Sequence, residues 1–336
     1  MNHISNLLKT IDIKKNGAIL IDKNISCDGF DISRNVGIVS HFHGDHIQEF
    51  ENCIATYKKV YSTPETKEVL KAIKGDWLDY RKNIIGIPYL KKENYNEFTL
   101  SFFPAQHCLG SAQVFIELED LDILYTGDIS EGASPCETDI LITEAAFGAP
   151  NLIKRHTREE AVKQFVSKVK TVLTTGSVCI LANRGILQDA MNILNSSDVD
   201  VPFLFHKSVI RVSEVYRKYG INIGNYLEIG KEEAEEIMRT RQPHLTFYPF
   251  GSQIYSPDQY IKISLSGWTV KPIVTKIDNK SYIIGLFNHC DFQELLYYVQ
   301  QCSPKIVVVD SSRYGNADIF ARNIKRKLGI KAYALP

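Results

Sequence analysis

The sequence predicts a mixed α/β protein in which a block of alternating helices and strands is inserted into a strand-rich host. Residues 1–150 contain short apolar runs separated by turns, including GAILID, VGIVSHF and LDILYTGD, which is typical of strands. Between residues 151 and 262 helical and strand patterns alternate, which favours a parallel sheet. Strands then return, so we assign 1–150 and 263–336 to a host domain and 151–262 to an inserted domain. A chain of 336 residues can accommodate both.

Two helices have clear N-terminal signals. Thr63 offers an N-cap and Pro64 a first-turn proline before ETKEVLKAI in the host. In the inserted block, Thr157 and Glu160 form a capping box before a run whose apolar residues follow helical spacing. The same patterns predict strands at SVCILA, VPFLF, LTFYP, IKISLSG, PIVTKI, SYIIGL and PKIVVVD, and helices at ILQDAMNIL, VIRVSEVYRKYG, KEEAEEIMRT, FQELLYYVQQC and ADIFARNIKRKLG.

Composition narrows the functional classes. The 39 Lys and Arg residues balance 39 Asp and Glu residues, so a polyanionic partner would need a local basic patch. No apolar run approaches the roughly 20 residues of a membrane span, and the N-terminal segment lacks a signal-peptide core. The seven cysteines are scattered without a C-x-x-C pair, which favours reduced thiols. We therefore expect a cytoplasmic protein with no membrane association.

The segment SHFHGDH, which follows the apolar run VGIV, places His41, His43, Asp45 and His46 within six positions. A loop after a strand can aim all four side chains at one point, because loop residues need not alternate between faces. A single histidine is usually a surface or core residue. Three grouped imidazoles are costly to pack unless a cation shares their lone pairs, so we interpret the segment as a metal-binding loop.

Two more ligand-type residues follow later strands. His107 comes after FTLSFFPAQ and precedes a turn that Gly110 permits, and Asp128 ends the strand LDILYT in a T-G-D run. Either residue alone is weak evidence for a metal site, because the T-G-D sequence also favours a turn. Together with the loop they give four imidazoles and two carboxylates, more than one tetrahedral zinc needs. Two cations that share Asp128 could activate water and polarise a phosphoryl oxygen, which fits phosphoester hydrolysis.

Four motifs in this order resemble those of the metallo-β-lactamase superfamily. They are D-G-F at Asp28, H-x-H-x-D-H at 41–46, H-C-L-G-S at His107 and T-G-D at Asp128. The resemblance implies a four-layer αββα sandwich. It also implies a set of six metal ligands, namely His41, His43, Asp45, His46, His107 and Asp128.

Later residues resemble the β-CASP nucleases of that superfamily. Glu144 in LITEAAFG is similar to the family's first acidic motif, and His289 in FNHCDF is similar to its later histidine. The block 151–262 occupies the place of the β-CASP insertion, so the resemblance covers essentially the whole chain. It implies a metal-dependent enzyme that hydrolyses phosphodiester bonds of nucleic acid.

The resemblance also implies how the residues divide the work. The H-x-H pair and His107 would bind a first metal, the D-H pair a second, and Asp128 would bridge them. Asp28 would fix the ligands without binding metal. His289, oriented by Glu144, would protonate the leaving alkoxide, although a purely structural histidine is the alternative. One or two zinc ions are expected, and manganese and iron also accept such ligands.

One position departs from the RNA-processing members of the family. Where they carry a histidine in V-H-G-E, this chain has Val309-Asp310-Ser311-Ser312, with Ser311 opposite the expected ligand. A serine hydroxyl is a poor zinc ligand. The second metal would therefore bind loosely or take an oxygen from Asp310, and the number of bound metals stays open.

Artemis- and Apollo-type DNA nucleases also lack this histidine. The run Ser266-Gly267-Trp268-Thr269 resembles a motif of those enzymes and of ligase-associated exonucleases. These resemblances imply a DNA exonuclease that acts on single-stranded ends in repair. Trp268 could equally end a strand and fill the core. An RNA-processing ribonuclease, RNase J-like or of the messenger 3′-end-processing type, is the main alternative. A thioester or lactone hydrolase and a non-cleaving nucleic-acid-binding protein are weaker ones.

The sequence gives weaker evidence for substrate contacts than for metal ligands. Arg184 lies in Asn183-Arg184-Gly185 at a predicted helix start and could meet a phosphate, although a solvated loop is the alternative. Thr269, Ser311 and Ser312 are further candidates for contact with nucleic acid. The basic cluster at 322–331 is more typical of a solvated helix face than of a nucleic-acid patch. Nothing in the sequence identifies a protein partner.

Overall fold

The computed structural model describes residues 10–251, 257, 259–268 and 272–336. The chain forms two compact units, one of residues 1–153 and 288–336 and the other of residues 154–287. The predicted boundary at 262/263 is therefore wrong. Residues 261–285 contribute three strands that hydrogen-bond into the sheet of the second unit. The sequence pattern shows that strands are present there, but it does not show which sheet they join.

The first unit contains a six-stranded and a seven-stranded sheet, with strands numbered along the chain. The six-stranded sheet has the order β1-β2-β3-β4-β5-β6. Its strands are β1 Ile11–Ile13, β2 Ile19–Ile21, β3 Ile25–Cys27, β4 Val36–Ile38, β5 Lys59–Ser62 and β6 Ile84–Gly86. The seven-stranded sheet consists of β7 Glu93–Tyr95, β8 Phe98–Pro104, β9 Ala112–Leu118, β10 Leu121–Tyr125, β11 Ile140–Thr143, β19 Ile306–Asp310 and β20 Lys331–Leu335, in the order β20-β19-β11-β10-β9-β8-β7.

The two sheets of this unit pack face to face. Ile19 and Ile38 of the first sheet and Leu100 and Ile123 of the second belong to one buried apolar cluster. Since neighbouring residues of a strand point to opposite faces, Leu124 lies on the other side of the second sheet. There it joins a cluster with residues of two helices. These are α7 Phe292–Cys302 and α8 Ala317–Leu328.

Two further helices pack against the first sheet. Helix α1, Phe50–Thr56, contacts β5, and helix α2, Pro64–Lys74, contacts β6. Helix α2 begins where the sequence predicts, because Thr63 Oγ1 accepts a hydrogen bond from Thr66 N at 3.2 Å. Helices, sheet, sheet and helices thus give four layers, and the predicted αββα fold class is confirmed.

The second unit is built around a seven-stranded sheet of order β14-β13-β15-β12-β16-β18-β17. Its strands are β12 Val178–Ala182, β13 Phe203–Phe205, β14 Leu227–Glu228, β15 Leu245–Pro249, β16 Ile261–Ser266, β17 Val274–Lys276 and β18 Ser281–Gly285. Among the described strands of this sheet, all neighbours are parallel except β17 and β18. The parallel sheet predicted from alternating helices and strands is therefore confirmed.

The helices of the second unit are α3 Arg158–Leu173, α4 Ile186–Asn195, α5 Lys207–Lys218 and α6 Glu232–Thr240. Helix α3 begins with the predicted capping box. Glu160 N donates to Thr157 Oγ1 at 3.1 Å, and Thr157 N donates to Glu160 Oε2 at 2.9 Å. Two orphan backbone donors are thereby satisfied.

The topology of the first unit brings the polar motifs together. Strands β10, β11 and β19 run parallel to one another, so their carboxyl ends lie at the same edge of the second sheet. Asp128 follows β10, Glu144 follows β11 and Asp310 ends β19. The loop after β4 carries His41 to His46, and the backbone bond from Ala112 N to Ser40 O, 2.9 Å long, ties it to this sheet.

Candidate metal centre

Four side chains converge at the carboxyl ends of these strands. The Nε2 atoms of His41 and His107 lie 3.1 and 2.9 Å from His43 Nδ1. The same two Nε2 atoms lie 3.6 and 3.5 Å from Asp128 Oδ2. One ligand atom from each of the four residues lies within 4.8 Å of the other three. His41 and His107 are buried, so their ring nitrogens need partners inside the protein.

The Nδ1 atoms of His41 and His107 act as hydrogen-bond donors. His107 Nδ1 faces the Asn288 carbonyl oxygen at 2.5 Å, and a carbonyl only accepts. Ser40 Oγ donates its proton to Asp28 Oδ2 at 2.5 Å, so at 2.9 Å from His41 Nδ1 it accepts from that ring. Both Nε2 atoms therefore present lone pairs to the centre, which is how a metal-binding imidazole is normally oriented.

Burial sets the charge of these rings. Burial and the neighbouring imidazoles hold the pKa values of His41 and His107 well below the ordinary histidine value. For Asp128, burial favours the neutral acid, but the rings of His46 and His289 outweigh it and lower the pKa of the carboxyl well below its usual range. Neutral imidazoles beside an ionised carboxylate form a donor set that suits a divalent cation.

Asp28 organises the other side of the centre. Its carboxylate accepts hydrogen bonds from Ser40 N at 2.7 Å, from Ser40 Oγ at 2.5 Å and from the Tyr125 hydroxyl at 2.8 Å. Asp28 Oδ2 also lies 2.8 Å from His46 Nδ1. These bonds occupy the carboxylate and orient His46. Asp28 also lies close enough to His41 and His46 for the three to form a possible ligand group, so its expected role as a residue that orients ligands without binding metal stays a prediction.

His46 turns its second nitrogen toward two carboxylates. Nε2 lies 3.4 Å from Asp128 Oδ1 and 3.6 Å from Asp45 Oδ2. Among the described residues, no group hydrogen-bonds to this buried atom. Burial and Arg313 oppose a charged ring, but Asp128 and Asp28 outweigh them and raise the pKa of His46 to about 10. The protonated, positively charged form of His46 is therefore favoured. A metal ion would compete with the proton for Nε2.

The structure pairs Glu144 with His289, as predicted. His289 Nδ1 lies 3.2 and 3.3 Å from the two carboxylate oxygens, and Ile129 N donates to Glu144 Oε1 at 2.7 Å. Both side chains are buried. Burial disfavours the charged ring, yet Glu144 and Asp128 raise the pKa of His289 above the ordinary value. The His289 ring lies 4.5 Å from that of His107, measured between centroids, so the pair adjoins the metal cluster.

Asp310 is engaged away from the metal cluster, which favours the alternative in which the second metal binds loosely. Its Oδ2 forms a salt bridge of 2.5 Å with Arg313 Nη1, and Oδ1 accepts from Ser312 N and Oγ at 2.8 and 2.5 Å. The carboxylate is thus occupied by its own loop. Ser311 is exposed and donates its backbone N–H to Leu335 O at 2.7 Å. Ser311 and Ser312 remain predicted substrate contacts only.

Sequence reasoning missed Arg313. The residue stands in the short polar segment Ser311-Ser312-Arg313-Tyr314, where an arginine looks like an ordinary surface residue. Its side chain is only 11% exposed in the structure. The available signal was its position three residues after Asp310 at the end of an apolar strand, since a buried carboxylate requires a partner.

Two predicted substrate contacts belong to the second unit. Arg184 is partly buried in the turn between β12 and α4, and burial lowers the pKa of its guanidinium. Trp268 is 47% exposed, so the alternative in which its ring fills the core is wrong. Thr269 lies outside the described residues.

In the described part of the chain, every helix is too short or too polar to cross a membrane.

Known proteins similar to this chain carry nuclease and ligase names, and no protein-family model matches the sequence. The chain is 26% identical over 393 residues to "RNase J-like protein" of Methanocaldococcus jannaschii, a match that covers 94% of this chain and 92% of that protein. It is 23% identical over 310 residues to "Probable DNA ligase" of Opitutus terrae, covering 88% of this chain and 28% of the ligase.

A third relative is eukaryotic. The chain is 27% identical over 214 residues to "Cleavage and polyadenylation specificity factor subunit 3" of Dictyostelium discoideum, covering 54% of this chain and 27% of that protein. The chain therefore spans less than a third of the ligase and of the polyadenylation factor. With its αββα layers and converging histidines, the chain belongs to the family these relatives share, the β-CASP nucleases of the metallo-β-lactamase superfamily, which are metal-dependent hydrolases of nucleic acid.

Proposed function

We propose that this protein is a DNA exonuclease that hydrolyses phosphodiester bonds at single-stranded ends in repair. The convergence of His41, His43, His107 and Asp128 beside the Glu144–His289 pair carries the proposal. This arrangement supports a metal cluster with a proton donor beside it. We assign the first unit to the metallo-β-lactamase domain and the second unit to the β-CASP insertion. The seven cysteines, all within the described residues, are not joined in disulfides, which supports a cytoplasmic location.

We infer two metal positions in the centre, with unequal ligand sets. His41, His43 and His107 would hold the first ion together with Asp128. The second position has Asp45 and His46, shares Asp128, and lacks an oxygen from Asp310 because Arg313 occupies that carboxylate. When bound, a divalent ion activates water and polarises a phosphoryl oxygen. Zinc is the proposed ion, since nitrogen and oxygen ligands in this number suit it, and manganese and iron accept the same set.

His289 is proposed as the general acid. The Glu144 carboxylate accepts the Nδ1 proton, which orients the ring and sustains its charged form. The other ring nitrogen can then donate a proton to the departing alkoxide. A sugar alkoxide is a poor leaving group, so this proton transfer should lower the barrier substantially.

The preference for DNA is supported by two observations. Trp268 in the Ser266-Gly267-Trp268 run presents an exposed ring, and such a ring can stack on a base. One relative is also named as a DNA ligase. RNA cleavage is the second candidate, because the relative matched over nearly its whole length is named RNase J-like.

Replacing Asp128 with Asn should reduce cleavage by ~10³-fold or more, because the group of His41, His43, His107 and Asp128 loses its carboxylate and about 4 kcal/mol of transition-state stabilisation. Initial rates on labelled single-stranded DNA measure the loss, and circular dichroism checks the fold. Asp120→Asn, at an exposed position of the same unit, is the matched control and should cleave normally. Undiminished cleavage by metal-stripped Asp128→Asn protein would overturn the mechanism.

Replacing His289 with Asn should lower the rate on DNA by roughly 10²–10⁴-fold, the range expected for loss of a general acid. On thymidine 5′-p-nitrophenyl phosphate the loss should be much smaller, because nitrophenolate departs without a proton. Steady-state rates on both substrates test this. Glu144→Gln should show the same pattern more weakly. Equal losses on the two substrates would instead make His289 a structural residue.

Digestion of labelled single-stranded DNA and RNA, each with a 5′-phosphate or a 5′-hydroxyl, tests the substrate. The DNA strands should shorten progressively from one end, faster than the RNA strands. The product ladder gives the polarity, and the comparison of the 5′ groups shows whether the end is recognised. Faster digestion of RNA would favour the second candidate. Binding without cleavage in any divalent ion would indicate a nucleic-acid-binding protein.

A further inference from the structure

Arg313 has an acceptor for each of its five N–H groups. Nη2 donates to the carbonyl oxygens of Gly17 at 2.9 Å and Asp28 at 3.0 Å, and Nε donates to the carbonyl oxygen of Asp45 at 3.3 Å. Nη1 pairs with Asp310 Oδ2 at 2.5 Å and approaches Ser312 Oγ at 3.5 Å. A guanidinium has five donors in all, so none is left for a substrate phosphate.

Two of the three backbone carbonyls that Arg313 holds, those of Asp28 and Asp45, belong to residues that shape the proposed second metal position. Asp45 is a proposed ligand of that position, and Asp28 orients His46 through its side chain. Asp28 has a left-handed backbone with φ of +51°, a conformation that costs energy outside glycine. A hydrogen bond from a buried guanidinium to the Asp28 carbonyl helps to hold that conformation.

The backbone at Gly17 lies close to the Arg313 guanidinium. At Gly17, where φ is +86°, a Cβ atom would lie 3.0 Å from Arg313 Nη2. Only glycine combines that backbone conformation with that clearance. The turn of β1 and β2, the residue after β3, the metal loop and the end of β19 therefore meet on one side chain.

We propose that Arg313 is a positioning residue for the second metal position, holding the backbone of Asp28 and Asp45 so that His46 and Asp45 face Asp128. The proposal rests on the metal centre of the proposed function. It explains how the position keeps its shape although Ser311 supplies no imidazole and Asp310 is engaged. The fixed positive charge beside the position also opposes a second cation, so the second ion should bind more weakly than the first.

The Arg313→Lys variant removes the planar set of N–H donors of the guanidinium while it keeps the positive charge. The three ammonium donors of lysine cannot reach the five acceptors that the planar guanidinium contacts. Arg322→Lys, an identical change at an exposed position of α8, is the matched control. The full-length proteins are stripped with a chelator and titrated with Co²⁺ alone. Calorimetry follows binding, visible absorption distinguishes the first and second equivalents, and thermal unfolding of the metal-free proteins compares their folds.

The wild-type protein and Arg322→Lys should bind one Co²⁺ tightly and a second weakly. In Arg313→Lys the first step should be unchanged, and the second should weaken by about 10–100-fold, the usual effect of losing a group that orients ligands. An unchanged second step in Arg313→Lys would overturn the proposal, as would equal weakening of both steps. A wild-type protein that binds no divalent ion would instead overturn the proposed function, and Arg313 would lose its role with it.

Discussion

The carboxylate of Asp28 connects the parts of the centre that come from distant segments of the chain. It accepts from Ser40 N and Oγ and from the Tyr125 hydroxyl, and it binds the outer nitrogen of His46. Each contact has a consequence for the metal ligands. The bond to Ser40 Oγ fixes the proton on His41, and the bond to His46 turns its Nε2 toward Asp128. The geometry of both proposed metal positions thus depends on one buried anion.

A buried anion of this kind needs compensation, and the first unit supplies it with hydrogen bonds and with Arg313. Four donors to Asp28 offset the cost of burying its charge. The nearby guanidinium and the His46 ring further lower the pKa of the Asp28 carboxyl against the opposing effect of burial. The same guanidinium neutralises Asp310. The charged side chains of the centre therefore form one network of opposite charges. Within this network, His46 Nε2 faces Asp45 and Asp128 but forms no hydrogen bond with any described residue.

Much of this centre could be predicted from the sequence, because its ligands lie where apolar strands end. His41 to His46 follow β4 of the first sheet. His107 and Asp128 follow β8 and β10 of the second sheet, which run in the same direction because each pairs antiparallel with β9. Arg313 could not be predicted, since its burial depends on carbonyls of residues more than 260 positions away. The end of the inserted unit was misplaced for a similar reason. Periodicity identifies the strands at 261–285, but β16 pairs with the distant strand β12, and β18 and β17 extend the same sheet beyond it.

The most direct test of the account is where a metal ion binds. Crystals of the zinc-loaded protein, measured on both sides of the zinc absorption edge, locate the ion by its anomalous signal. We expect the strongest peak among His41 Nε2, His43 Nδ1, His107 Nε2 and Asp128 Oδ2, at roughly 2.0–2.2 Å from each. A weaker peak should lie beside His46 Nε2. Zinc bound elsewhere, with these four atoms left without an ion, would contradict the account.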